Sequence, residues 1–368
     1  MILRFVRNAL CLGVAVASPL VSAQPAGTLG DDFIYRVRQG DTLIQLAGTY
    51  TRNEANWGVL QRLNAIDDPY RLMIGKELRI PLALIPEVPA QTTAVHVSGA
   101  ATMDGAPLRE GTPVAEGATI TTSANGFVTL QLADGTKVTL PQNGSTRLER
   151  LRQFEGTALT DSILRVERGA VDSNVAPDGQ GVGRFEVRTP VAVTGVRGTR
   201  FRVQASAQGS RSEVIEGNVR LQPHPRDSAP GRPVAVATGY GASIGADGVL
   251  SEVRPLLPAP QLGAPQRAGS GQWTAAVSPV PGAVAYLVQV SRDADGLELT
   301  SSTRFDSTDI HFSAPGAGTY YVAVRAIDAA GLGGRDGRLS FMGANVLMTA
   351  SGLPVSLSDS GVVTLADY

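Results

Sequence analysis

The residue types that catalytic sites draw on are thinly spread along this chain of 368 residues. Its one cysteine, Cys11, lies inside an apolar run at 9–17, which leaves no other thiol as a nucleophile. His96, His224 and His311 stand singly, with no His-x-His or His-x-x-x-His pair of the kind that seats zinc. The Gly-x-Ser-x-Gly match at Gly241-Ala242-Ser243-Ile244-Gly245 has no helix pattern after it, so it is not the strand-to-helix elbow that presents a nucleophilic serine. Carboxylates are numerous enough to supply a pair for glycosidic cleavage, yet no motif singles two of them out. The expectation is a protein with no catalytic residues, no metal and no cofactor, whose chemistry is hydrogen bonding and packing against a ligand.

Charge narrows the ligand. The 32 Lys and Arg nearly balance the 33 Asp and Glu, so no global basic field draws the chain onto nucleic acid or anionic lipid. Residues 1–23 read as a secretory signal: Arg4 and Arg7 precede the apolar run, and Val21, Ser22 and Ala23 supply small residues for cleavage. Leu10 before Cys11 does not suit lipidation. Cleavage removes the thiol, which excludes disulfides, and no later run of 18 apolar residues could span a membrane. A periplasmic location follows as an expectation, with export beyond the outer membrane left open.

Two proline-rich stretches, at 82–96 and 251–271, read as semi-rigid linkers and divide the remainder into segments at 33–81, 97–250 and 272–342, with a tail at 343–368. In the first segment, a strand-like stretch at 33–37 precedes Leu43, Leu46, Ala47 and Tyr50, spaced to line one helix face. Asp41 or Thr42 can cap that helix. A second helix beginning near Asn53 places Trp57 and Leu60 on neighbouring turns, and Glu77, Leu78, Arg79 and Ile80 read as a closing strand. The order is βααβ.

Tyr35-Arg36-Val37, Gly40-Asp41-Thr42-Leu43, Trp57, Leu60, Asn64-Ala65-Ile66, Asp68-Pro69, Gly75 and Leu78-Arg79-Ile80-Pro81 together resemble a LysM domain. The resemblance implies binding of glycans that contain N-acetylglucosamine, peptidoglycan above all, in a shallow groove between two loops. Those loops fall at Gly40, Asp41, Thr42 and Leu43, and at Ile66, Asp67, Asp68, Pro69 and Tyr70. An acetamido group offers one N–H and one C=O, which main-chain groups of facing loops can satisfy, while Leu43 and Ile66 are expected to cover its methyl group. Trp57 is expected in the core, because a domain this small needs its one large aromatic inside.

The segment 97–250 alternates like β structure. Val128, Leu130 and Leu132 are followed by an Asp134-Gly135 turn and by Val138 and Leu140, a hairpin pattern. The same alternation recurs at Leu164 and Val166, Phe185 and Val187, Val191 and Val193, Phe201 and Val203, and Val219 and Leu221, with Gly169, Gly195, Gly198 and Gly217 read as turns. Many short strands imply a sandwich, barrel or solenoid-like roll. The stretch from Phe185 through Thr189-Pro190 to Val196-Arg197-Gly198-Thr199 and Phe201 resembles a FecR domain. That resemblance implies a β-domain that binds another envelope protein, whose identity the sequence does not give. Val196, Arg197, Gly198 and Thr199 are candidates either for partner contact or for shaping a tight strand connection, with Gly198 at a dihedral that other residues resist. Alternate arginines such as Arg188, Arg200 and Arg202 are expected to face solvent.

From Trp273 onward, the runs around Tyr286 and Tyr320 with Phe305, Phe312 and Gly331 resemble a fibronectin type III module, an Ig-like β-sandwich whose core would hold Trp273 and Tyr320. Asp293-Ala294-Asp295-Gly296 lacks the full ladder of oxygen ligands for calcium and reads as a hairpin turn. The whole is a multidomain, mainly β chain.

Overall fold

The computed structural model describes residues 28–29, 31–177, 182–196, 198–224, 229–268, 272–314, 316–343 and 355. The expected signal segment, Arg197 and nearly all of the tail lie outside the described residues. The architecture is mainly β and multidomain.

The N-terminal unit is βααβ: β1 (Asp32–Arg36), α1 (Leu43–Thr51), α2 (Trp57–Leu63) and β2 (Glu77–Pro81). β1 and β2 pair antiparallel, Phe33 opposite Ile80 and Tyr35 opposite Leu78. Asn53 caps a 3-10 turn that leads into α2, its side chain accepting from the Ala55 N–H. Leu43, Leu46, Ala47, Leu60, Leu78 and Ile80 form the core, with Trp57 packed at its edge.

The same core contains Ile85, Phe154 and Leu159. The last two flank the tip of a hairpin from the next unit. Residues 82–96, whose prolines suggest a spacer, therefore carry structure: β3 (Glu87–Pro89) pairs with the hairpin strand, Glu87 opposite Phe154. A short strand needs few N–H donors, which is where prolines are tolerated.

The central unit is a closed barrel. Its principal strands are β4 (Thr93–Ser98), β5 (Phe127–Gln131), β6 (Lys137–Leu140), β7 (Ser145–Phe154), β8 (Thr160–Asn174), β9 (Val182–Arg188), β10 (Ala192–Val196), β11 (Arg200–Ser206), β12 (Gly209–Glu216), β13 (Asn218–Pro223), β14 (Val234–Ala237) and β15 (Tyr240–Gly245). Strand β8 belongs to both layers. Its first half pairs with β7 and β9, its second with β6 and β11. Gly169 marks the crossing: its φ is +88° and a Cβ there would come within 2.6 Å of the Gly144 Cα. Gly169 and Gly195 thus lie within strands, where the sequence suggested turns. Phe185 and Phe201 meet edge to face in the barrel core, their centroids 6.2 Å apart.

The C-terminal unit is a sandwich. One sheet orders β16 (Gln266–Arg267), β17 (Gln272–Ala275) and β20 (Ile310–Ser313). The other orders β19 (Leu299–Phe305), β18 (Ala283–Ser291), β21 (Thr319–Asp328) and β22 (Gly333–Met342). Trp273, Phe312, Tyr320, Val322 and Val324 fill its core. The proline-rich approach packs on this unit and on the barrel: the Leu256 N–H donates to the Gly239 carbonyl at 2.8 Å, and the Arg335 N–H donates to the Leu257 carbonyl at 2.9 Å.

Alternation along β18 and β21 leaves a polar face, with Gln289, Ser291 and Arg325 outside the sandwich core yet buried. The barrel covers them. Arg202 on β11 reaches Asp336 on β22 at 2.8 Å and Glu213 on β12 at 3.3 Å. Arg325 and Arg338 meet the same Asp336 carboxylate at 2.9 and 3.1 Å, and Glu213 accepts from the Gly333 N–H at 2.6 Å. Along the edge of β19 and its preceding turn, His96, Gln142 and Arg200 bond the carbonyls of Leu299, Ser302 and Asp295 at 3.0, 2.6 and 2.9 Å, and the Thr129 hydroxyl bonds that of Leu297. Arg202 is therefore a buried docking residue, against the expectation that it faces solvent.

Burial disfavours a charged Asp336, but Arg202, Arg325 and Arg338 outweigh it and hold the carboxyl well below the usual range. Its stabilisation is present above the unfolded carboxylate pKa, about 3.9, and is lost only as pH falls through the depressed folded value. Burial instead pushes Glu213 up, despite Arg202 and the Gly333 N–H. Its contribution is largest when protonated and falls as pH rises. The two carboxylates should part on substitution. In urea unfolding at pH 7, Asp336→Asn costs about 3–5 kcal/mol because three guanidiniums lose their shared counter-charge. Glu213→Gln, which keeps an acceptor for Gly333, costs no more than about 1 kcal/mol. Equal losses would contradict this assignment.

Candidate functional site

The loop before α1 is braced from within. One Asp41 carboxylate oxygen accepts from the Tyr35 hydroxyl at 2.8 Å and from the Arg38 N–H at 2.7 Å. Burial and that bond to Asp41 push the Tyr35 phenol far above its ordinary range, so it remains a donor at every physiological pH. Gly40 turns the chain at φ +90°. Thr42, rather than Asp41, caps α1: its hydroxyl accepts from the Gln45 N–H at 3.3 Å. Asp41 shapes the loop instead.

The loop after α2 is pinned by Asn64. Its amide donates to the carbonyls of Leu60 and Arg79, both at 2.8 Å, and its oxygen accepts from the Arg79 N–H at 2.7 Å. Ile66 and Gln61 exchange bonds through the Ile66 main chain at 3.1 and 3.0 Å, and the Asp68 carboxylate accepts from the Tyr70 N–H at 3.0 Å. A main-chain bond of 3.3 Å from the Leu43 N–H to the Pro69 carbonyl joins the two loops. The candidate residues of the two loops are thus neighbours in space.

Their side chains do not all face the ligand side. Leu43 is fully buried and Ile66 nearly so, both in the domain core. The expected role of these two as covers for an acetamido methyl is therefore corrected: core packing claims them. Gly40, Asp67, Asp68 and Tyr70 are exposed, and Asp41, Thr42 and Pro69 partly so. Apolar surface is supplied instead by Tyr70, Met73 and Ile74, which are 69%, 70% and 68% exposed within five residues. Sequence reasoning missed Met73 and Ile74. Their signal was an apolar pair in a turn, after Pro69 and before Gly75, with no helical or strand period to bury it.

The opposite end of α1 meets the barrel. Tyr50 packs on Phe33 and Tyr35 with centroids 5.2 and 5.4 Å apart, Arg52 pairs with Glu155 at the hairpin tip, and Tyr50 lies against Gly156. Nine helical residues, roughly 13 Å at 1.5 Å each, separate this anchor from the loops. The barrel therefore holds the unit without covering its loops.

In the barrel, Val196 is buried at the end of β10, Gly198 has φ +56°, and the Thr199 hydroxyl donates to the Asn218 carbonyl at 3.0 Å. Gly217 lies so near that a Cβ would reach the Thr199 hydroxyl at 2.8 Å. This is a tight connection that delivers Arg200 and Arg202 to the seam with the sandwich. Arg188 is spent on Glu149 and Glu186 at 3.3 and 2.8 Å. Among the described residues no cluster of three or more His, Cys, Asp or Glu could hold a metal ion. The Asp293 carboxylate accepts from the Leu297 and Glu298 N–H groups at 2.8 and 2.7 Å, closing the hairpin turn read from the sequence.

Comparison with known proteins agrees with two of the three units. The LysM domain model matches residues 35–81 and the FecR protein model matches residues 118–220. The chain thus carries a LysM domain followed by a FecR domain. No curated protein matches the chain. Two crystal structures of a candidate anti-sigma factor from Parabacteroides distasonis are similar at 20% identity and a TM-score of 0.29, over 37% of this chain and 59% of theirs. The chain spans about three-fifths of the length of those structures.

Substitution separates the two loop supports. Thr42→Ala removes a cap and costs about 1 kcal/mol. Asn64→Ala strands the Arg79 N–H and carbonyl, while the Leu60 carbonyl keeps its bond from the residue-64 N–H, and costs roughly 2–3 kcal/mol. Urea denaturation with amide exchange in α1 and α2 measures both, and an Asn64→Ala loss below that of Thr42→Ala would contradict the pinning role.

Proposed function

We propose that the protein is a noncatalytic component of the cell envelope that binds peptidoglycan, or another glycan containing N-acetylglucosamine, through its LysM loops. The observation that carries this reading is the joined loop pair at the free end of α1, within the segment matched by the LysM model. A neutral glycan needs no charge, and the exposed Tyr70, Met73 and Ile74 offer apolar faces for pyranose rings beside the polar Asp67 and Asp68. Affinity per site is modest, and a repeating polymer raises it by local rebinding.

In this reading the FecR barrel and the sandwich form a platform for an envelope protein, or a sensor whose specific contact lies in the barrel. An open trough of about 1510 Å³ supports the second form. It runs from Leu82 and Ala83 across Arg184, Gly195, Arg220 and Gln222 on the outer face of β9, β10 and β13. The sandwich is read as a fibronectin III-like module; its two antiparallel sheets of three and four strands support that assignment. A periplasmic location after removal of 1–23 completes the proposal. Among the described residues no helix is long and apolar enough to cross a membrane.

Sedimentation with purified sacculi tests the reading. The full chain pellets with them, while Tyr70→Ser combined with Ile74→Ser stays in solution at an unchanged melting temperature. Dye-labelled sacculi incubated with the protein release no dye. Equal pelleting of the variant would sink the site, and reproducible dye release would sink the noncatalytic assignment.

A further inference from the structure

The Gly198-Thr199 connection opens β11, and strand register there aligns four polar side chains. Lys137 on β6 lies opposite Asn174 on β8, Asn174 opposite Arg200 on β11, and Arg200 opposite Glu216 on β12. Val138, Val175 and Phe201 beside the first three are buried, so alternation turns those three outward, and a bulge at Ile215 offsets Glu216 from the buried Val214 and leaves it exposed. They line a cleft of about 300 Å³ whose other wall is the sandwich turn bearing Asp295 and Leu297. The cleft exists because the sandwich is docked on the barrel.

The row is uncommitted. Among the described residues the side chains of Lys137, Asn174 and Glu216 make no hydrogen bond or ion pair, and Arg200 donates only to the Asp295 carbonyl, at 2.9 Å. Asp134 also lines the cleft, but its two oxygens accept from the Thr136 N–H at 2.8 Å and the Thr160 hydroxyl at 2.7 Å. Burial pushes the Arg200 guanidinium down, as does Arg338, and no carboxylate within 4 Å compensates it. Charge is sorted by position: donors on β6, β8 and β11, a carboxylate on β12, and a second one, Asp295, across the gap. Adjacent strands lie about 4.8 Å apart, so long side chains on β6 and β11 converge over Asn174.

A ligand of one sign would meet attraction from one pair and repulsion from the other. A ligand carrying both signs close together meets both pairs favourably, and the cleft's volume is at the lower end for small-molecule sites. We propose that this cleft binds a small zwitterion with a free ammonium and a free carboxylate, an amino acid or a free dipeptide. Its carboxylate is taken by Arg200, Asn174 and Lys137, and its ammonium by Glu216 with Asp295. This site is independent of the LysM loops, and its failure would leave the glycan reading intact.

Titration calorimetry of the full chain at low salt, with alanyl-alanine as probe, tests the proposal. The N-acetyl derivative and the C-terminal amide each remove one charge, and each binds about tenfold more weakly or worse, as expected for losing a charge-assisted bond. Glu216→Gln, at an exposed position, weakens the dipeptide by about tenfold and leaves the N-acetyl form unaffected. Asn174→Asp, also exposed, weakens the dipeptide but spares the amide. Melting temperatures of both variants match the parent. The D,D and L,L dipeptides identify the source: preference for D,D points to free dipeptides released from the wall and preference for L,L to free dipeptides released from proteins. No binding at millimolar dipeptide, equal binding of the blocked forms, or an unaltered Glu216→Gln variant would overturn the site.

Discussion

A single carboxylate, Asp336, buried among the guanidiniums of Arg202, Arg325 and Arg338, sets the arrangement of the C-terminal half of the molecule. A polar face of the sandwich sheet can be withdrawn from water only if its charges are matched in place, and the barrel supplies the match from Asp172 on β8, 3.8 Å from Arg325, from Arg202 on β11 and from Glu213 on β12. Seams of this kind are poor in net energy and demanding in geometry. The carbonyls around β19 add a second constraint, since side chains from β4, β5 and β11 take the place of a neighbouring strand there. Together they fix how the two units face each other.

The N-terminal junction uses the opposite physics. Phe154 and Leu159 enter the core of the βααβ unit, so that unit shares its apolar interior with a hairpin of the barrel. A domain of this size buries a modest fraction of its surface, and borrowed side chains enlarge the core. The consequence for function is positional. One end of α1 is anchored by Tyr50, Arg52 and the hairpin tip, and the loops proposed to hold glycan project from the other.

What could be read from the residues followed from local patterns. The βααβ order, the hairpin at Asp134 and Gly135 and the positive φ at Gly198 all rest on periodicity, capping or turn chemistry, which act within a few residues. What escaped required knowing what lies across a gap. Arg202, Glu213, Arg325 and Asp336 occupy alternate strand positions, and in sequence such residues look like any solvated face. Phe154 and Leu159 resemble ordinary hairpin residues. Leu43 and Ile66 read equally well as ligand cover or as core, because an apolar residue beside a polar loop has two destinations and only packing chooses between them. Met73 and Ile74 took the surface role because no element claims them.

The central claim is that the three units tumble as one body with the glycan loops at its free end. Nitrogen-15 relaxation of the full chain measures this directly. Backbone amides in α1, β8 and β21 should report one common rotational correlation time, appropriate to the whole molecule. A distinctly shorter time for α1, or for β21, would mean units strung on flexible linkers, and would contradict both the shared apolar core and the charged seam as rigid junctions.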